Sequence, residues 1–255
     1  MTDPAGVSLP VNGRAALVRG LSRVFLDERD GPLPALLLAL TVLAGLLDAI
    51  SILRLGGVFV ATVTGNLIFL GLAAAGATGF HVGLSVLTVC TFIGGVLIGS
   101  RACQAARSHR GRALRNVMVI KIWLAGTVSV IAIASGSPFV GGARYAMLGL
   151  MATSMGAQLA AIRYCKVPDL ATVVVTMTIT AVLTEHGSGW RDPKLLRRWL
   201  AVGAFAIGAL SGGLIILNLG PTVALVCGLS IIVAVAIAAH LLSRTSPDWS
   251  APPSA

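Results

Sequence analysis

Charge is scarce in this chain. Of its 255 residues only 11% are Asp, Glu, Lys or Arg, whereas 56% are hydrophobic, and mean hydropathy is +0.92. A soluble domain carries about 25% charged residues, so most of this outer surface must face lipid. Cysteine is sparse as well: Cys90, Cys103, Cys165 and Cys227 form no C-x-x-C pair and share no metal-ligand spacing with His81, His109, His186 or His240. A metal cluster or nucleophile triad has no residues to build on, and neither a cofactor nor an enzyme is implied. Alternating half-buried strands are missing, which excludes an outer-membrane barrel. The first 30 residues mix Arg14, Arg19, Arg23 and Arg29 with Asp3, Asp27, Glu28 and Asp30 and have no apolar core. No cleavable signal is expected there, and the first membrane helix serves as its own insertion signal.

What is present is a series of long apolar runs: Leu33–Leu53, Val58–Ala73, His81–Ser100, Val117–Ser135, Ala143–Ile162, Leu170–Leu183, Trp199–Asn218 and Val223–Leu242. Most can cross about 30 Å of hydrocarbon as a helix rising 1.5 Å per residue. The expected organisation is a cytoplasmic N-terminal segment (1–32), one membrane domain (33–242) and a disordered tail (243–255) with Pro247, Pro252 and Pro253.

The net charge of +10 raises the question of nucleic acid. The cations sit in short loops between apolar runs, with Arg101, Arg107, Arg110, Arg112 and Arg115 in one and Arg191, Lys194, Arg197 and Arg198 in another. That is the positive-inside pattern of a membrane protein, and no soluble face exists for nucleic acid to bind. The lipid bilayer is the expected partner, together with a small solute or ion. A homo-oligomer stays open.

The two halves resemble each other. Phe92-Ile-Gly-Gly95-Val-Leu97-Ile-Gly99 matches Phe205-Ala-Ile-Gly208-Ala-Leu210-Ser-Gly212, both with the small-x-x-x-small spacing that lets helix backbones approach closely. Thr64 and Asn66 align with Thr176 and Thr178, and Gly45-Leu-Leu-Asp48 faces Gly156-Ala-Gln158. If all eight runs crossed, one basic loop would lie outside. If the second and sixth runs dip in and return, all Lys and Arg except Arg54, Arg144 and Lys121 fall on the cytoplasmic side. The expectation is an all-α membrane protein. Its bundle has about six crossing helices plus two re-entrant or broken helical segments, arranged as an inverted internal repeat (33–135 and 143–242). A seven-span variant, with the second run crossing, is the runner-up.

Ala44-Gly45-Leu46-Leu47-Asp48-Ala49-Ile50-Ser51, Gly56-Gly57-Val58-Phe59-Val60-Ala61 and Thr64-Gly65-Asn66-Leu67 resemble the YoaK family of bacterial multi-pass membrane proteins. Met155-Gly156-Ala157-Gln158 and Pro168-Asp169-Leu170-Ala171-Thr172 resemble signatures of its second half, although Thr176-Met177 stands where a second Thr-Gly is expected. The resemblance implies a bacterial cytoplasmic-membrane protein and brings no activity with it.

Polar residues at depth are the candidate site. Asp48 is expensive inside a membrane helix, by roughly 2.5–3.5 kcal/mol on insertion scales. It reads either as a proton, cation or substrate site or as a structural carboxylate capping a broken helix. A re-entrant second run would bring Thr62, Thr64 and Asn66 to its depth. Gln158 mirrors Asp48 in the second half, and Thr172, Thr176, Thr180 and Thr184 form a polar stripe at helical spacing. The expected site is Asp48, Thr62, Thr64, Asn66, Gln158 and Thr176 around one cavity. Lys121, one turn into its run, is expected to send its ammonium to the cytoplasmic interface. Inverted repeats, broken helices and mid-depth polar groups suit a small secondary transporter or channel. The alternative is a scaffold or sensor that moves nothing.

Overall fold

The computed structural model describes residues 30–167, 193–244 and 248–250. Residues 1–29 and the sixth apolar run, with Thr172, Thr176, Thr180 and Thr184, lie outside the described residues.

Among the described residues there are seven α-helices: α1 (Leu33–Arg54), α2 (Thr64–Ala74), α3 (Val82–Gln104), α4 (Arg110–Ser135), α5 (Gly141–Cys165), α6 (Pro193–Asn218) and α7 (Pro221–Leu242). All but α2 contain a stretch long and apolar enough to span a membrane. The α2 helix has 11 residues, about 16 Å at 1.5 Å per residue, and cannot cross. The helix boundaries follow from local chemistry. Proline opens α7 directly after Gly220, which turns the chain at φ +95° and needs no Cβ there. His109 caps α4, its Nδ1 accepting from the Arg112 N–H at 3.2 Å.

Two sets of contacts fix the helix directions. Arg110 at the start of α4 bonds Asp30, just ahead of α1, and the Cys165 carbonyl at the end of α5. Arg197, near the start of α6, lies 3.8 Å from Asp30. Thus α1, α4 and α6 leave from one end, here called the basic end, where α3 and α5 arrive. The α7 helix ends there too, since a Cβ on Gly111 would lie 3.5 Å from Leu242. At the far end, a Cβ on Gly56 would meet Leu84 and Arg144, at the starts of α3 and α5. The chain therefore leaves α1 and enters α3 at the same end, and leaves α5 and enters α6 at the opposite one.

The helices meet through glycines. A Cβ on Gly45 of α1 would overlap the Phe205 carbonyl of α6, and one on Gly208 the Val42 carbonyl of α1. The α3–α5 contact is built alike, with Gly156 against the Phe92 carbonyl and Gly95 against that of Thr153. Gly99 rests on Ala157 and Ala160, as Gly212 rests on Leu46 and Ala49. In the spanning windows 67% of α1 and of α5 is buried, but only 28% of α3 and of α6. So α1 and α5 form the centre and the others turn a wide apolar face outward. Trp123, 75% exposed, lies on such a face.

A buried arginine holds the basic end together. Arg110 is buried, donating to Asp30 Oδ1 (2.8 Å), the Cys165 carbonyl (2.7 Å) and the Trp249 carbonyl (3.1 Å). Trp249 belongs to a 3-10 turn, Asp248–Ser250, inside the tail expected to be disordered. Its indole packs where a Cβ on Gly31 would be. A buried guanidinium binds to fixed carbonyls because its five donors cannot be left dry, and this ties the tail to the bundle.

Replacing Gly95 or Gly156 by Ala drives a methyl group into a neighbouring helix's backbone. The expected cost is about 1–3 kcal/mol, read as a lower thermal midpoint in detergent. Gly126→Ala, where a Cβ would meet nothing within 4 Å, is the control and leaves stability unchanged or slightly raised.

Candidate functional site

Between α1 and α2 the chain is irregular, and side chains supply what a helix would have supplied. Asp48, 3% exposed, lies six residues before the end of α1, about 9 Å from it. Its Oδ1 accepts the Val60 and Ala61 N–H groups at 2.8 and 2.7 Å. Its Oδ2 accepts the Thr62 N–H at 3.1 Å and, in a very short contact, the Thr62 hydroxyl. Ser51, one turn further along α1, donates to the Val58 carbonyl at 2.7 Å.

Asn66 works from the other side. Its Oδ1 accepts from the Phe59 N–H at 2.8 Å, and its Nδ2 donates to the Phe59 carbonyl at 2.6 Å, pairing with that residue as a strand would. The same Nδ2 reaches Thr88 Oγ1 on α3 at 2.8 Å. Gly65 is required because the Phe59 ring lies 2.7 Å from where its Cβ would be, and that ring stacks on Phe69 of α2 at 5.7 Å. The Thr-Gly-Asn signature is thus a recipe for holding residues 58–62. Asp48, Thr62 and Asn66 converge on this one segment. Thr64 does not: it begins α2 with its side chain exposed. Thr176 lies outside the described residues.

Gln158 lies on α5. Its Nε2 donates to the Leu40 carbonyl of α1 at 3.1 Å, and its buried Oε1 has no partner. It lines a small cavity of about 10 Å³, with Thr62, Ala44, Phe92, Met155 and Phe205, room for about one water molecule. Thr62 therefore connects the two candidates: its hydroxyl holds Asp48 while the residue faces the cavity shared with Gln158.

Lys121 corrects the sequence reading. It does not reach the interface: the side chain is fully buried, and Nζ donates to the Ser154 Oγ at 3.0 Å and the Ser154 carbonyl at 3.3 Å, with Met155 Sδ at 3.8 Å. It forms no ion pair among the described residues. Asp30 is taken by Arg110 and Arg197, and Asp48 by the 60–62 segment. Met155 touches both the lysine and the cavity. Only the position of Lys121 within an apolar run signalled it. Among the described residues no group of three or more His, Cys, Asp or Glu could hold a metal ion.

Six helices long and apolar enough to span among the described residues, around a clamped irregular segment, make this a multi-pass α-helical membrane protein. The chain belongs to the family described as protein of unknown function DUF1275, whose model matches residues 36–238. It is similar to the UPF0700 transmembrane protein YoaK of Bacillus subtilis (strain 168), at 28% identity over 187 residues, 69% of this chain and 80% of that relative. No solved structure matches. The family read from the Asp48 and Thr64-Gly65-Asn66 signatures is thus the right one, and the location is the bacterial inner membrane.

Asp48→Asn would turn an amide NH2 toward backbone N–H donors. It is expected to destabilise the protein by about 2–4 kcal/mol, measured by thermal unfolding in micelles. An unchanged midpoint would show that the clamp does not hold the segment. Lys121→Met keeps the volume and removes a buried amino group that has no ion pair among the described residues. It is expected to raise stability by roughly 1–3 kcal/mol.

Proposed function

We propose that this protein is a small secondary transporter or channel for a small solute or ion, built as an inverted repeat with its site between the halves. Supporting the repeat, α1, α3 and α4 run opposite to α5, α6 and α7 respectively, and the glycines at equivalent positions make equivalent contacts. Supporting a re-entrant first segment, residues 55–81 start and finish at the far end, while Val60–Thr62 are held at the depth of Asp48. Irregular backbone at membrane depth is tolerated where it is buried in protein or lines a cavity, and transporters use such breaks to form a central site.

The observation that carries the reading is the unpartnered Gln158 Oε1 on a cavity that touches both halves. A buried acceptor without a partner costs about 1–3 kcal/mol, a cost explained by a donor that arrives with the ligand. Gln158 and Thr62 are the binding residues in this reading, with Ala44 and Met155 as the walls. Asp48 and Asn66 position Thr62 and do not bind. The basic end is cytoplasmic by its arginines.

An unbiased uptake screen with purified protein in liposomes tests the proposal. For the solute identified, Gln158→Leu is expected to reduce uptake at least about tenfold, the loss of one buried hydrogen bond in the bound state, while thermal stability holds or rises. Uptake that survives Gln158→Leu would remove the site. A screen without any transported solute would favour the scaffold or sensor reading. Sidedness is checked separately: in a cysteine-free background, Ser108→Cys should resist membrane-impermeant thiol reagents in intact cells and Ala77→Cys should react.

A further inference from the structure

The basic end carries a second feature that the central site does not use. The α3–α4 loop, the first turns of α4 and the end of α7 enclose a cleft of about 510 Å³ whose lining includes Arg107, Arg112, Arg115, His240 and Arg244. No acidic side chain lines it. Among the described residues, Arg107, Arg112 and Arg244 make no side-chain hydrogen bond or ion pair, and Arg115 bonds only the neutral Asn116 Oδ1, at 2.9 Å. This contrasts with Arg110 nearby, whose three guanidinium nitrogens each donate to a fixed carbonyl or to Asp30.

Backbone conformation contributes to the cleft. Arg107 and Ser108 both have left-handed φ, at 50° and 61°, which non-glycine residues adopt at a cost. The loop turns there and delivers Arg107 to the same cleft as the α4 arginines. Asn116 fixes the floor by donating to the Ala102 carbonyl of α3 at 3.1 Å. Four guanidinium groups around one opening repel each other, and an anion with several acceptor oxygens relieves that repulsion.

The surface below the cleft is apolar. On α4, Val119 and Trp123 follow Arg112 and Arg115 at helical spacing and are 49% and 75% exposed. On α7, Ile237 and Val233 follow His240 in the same way, 57% and 37% exposed. A cationic opening at the ends of spanning helices, continued by exposed apolar stripes, fits a phosphate joined to acyl chains better than a free phosphate. We propose that this cleft is a binding site for the phosphodiester headgroup of an anionic phospholipid, whose chains lie along α4 and α7.

The test is a native mass-spectrometry titration of the full chain in neutral detergent. It compares phosphatidylglycerol with phosphatidylcholine of the same acyl chains. Phosphatidylglycerol is expected to bind about tenfold or more tightly, as several arginines at the headgroup level imply. The double variant Arg112→Gln, Arg244→Gln changes two exposed side chains and is expected to bring the two lipids within about twofold. Equal binding of both lipids by the unaltered protein overturns the proposal, whether or not the variant folds. So does a preference that survives the double variant, which would put the lipid elsewhere. Inorganic phosphate is the third arm: if it displaces phosphatidylglycerol at equal concentration, the site is for the free anion and the lipid proposal fails.

Discussion

Irregular backbone inside an apolar bundle has to find hydrogen-bond partners without water, and most of this structure follows from how residues 58–62 find theirs. An unsatisfied N–H or C=O in hydrocarbon costs several kcal/mol. The answer here is to use side chains from the flanking helices as substitutes for backbone. Asp48 takes three consecutive N–H groups, Ser51 serves the Val58 carbonyl, and Asn66 pairs with both polar groups of Phe59. The arrangement joins three elements, since Asp48 is on α1, Asn66 on α2 and its second partner, Thr88, on α3. One requirement, dry backbone made whole, thus sets both the cost of the buried carboxylate and its compensation.

The second constraint is that lipid gives helices no hydrophobic reason to associate. Association then relies on close packing, and the glycine crossings provide it by letting backbone touch backbone. Gly45, Gly208 and Gly212 bring α1 against α6, and Gly95, Gly99 and Gly156 bring α3 against α5. Of the outer helices, α3 and α6 therefore each press a small-residue face on a central one. The central helices α1 and α5 carry the polar residues Asp48, Ser51, Ser154 and Gln158, all buried. The tight crossings keep these groups out of lipid, and the polar groups need that seal to hold their geometry.

Much of this was written plainly in the sequence. Span lengths follow from bilayer thickness, so the apolar runs located the six long helices. Asp48 and Asn66 were legible because a carboxylate or amide at membrane depth demands partners. What could not be read was direction. Thr64 and Thr62 are equivalent in the sequence, yet one is exposed and the other faces a cavity, a matter of which way a short turn points them. Ser51 and Thr88 resemble any helix hydroxyl bonded to its own preceding turn, and only the tertiary fold reveals their second partners. Arg110 and Asp30 counted as loop charges, because nothing local announces that a loop folds over its own end. Lys121 looked long enough to reach water, but Ser154 on α5 meets it first.

The interior polar groups divide by whether their hydrogen-bonding capacity is used up. Asp48 accepts from four donors, three of them backbone N–H groups that cannot move away, so any solute competing for it would have to unmake the segment it holds. Such a carboxylate is suited to building a site and poorly suited to cycling a ligand on it. Gln158 has one free acceptor, and Lys121 directs donors to a hydroxyl, a carbonyl and a weakly accepting sulfur, an arrangement with slack in it. Gln158 lies on α5 about one turn from Met155, which lines the same cavity and touches Lys121. The residue that insertion cost makes most conspicuous is therefore structural in its chemistry. The slack at Gln158 and Lys121 thus gathers against one side of α5, away from the carboxylate that holds the irregular segment.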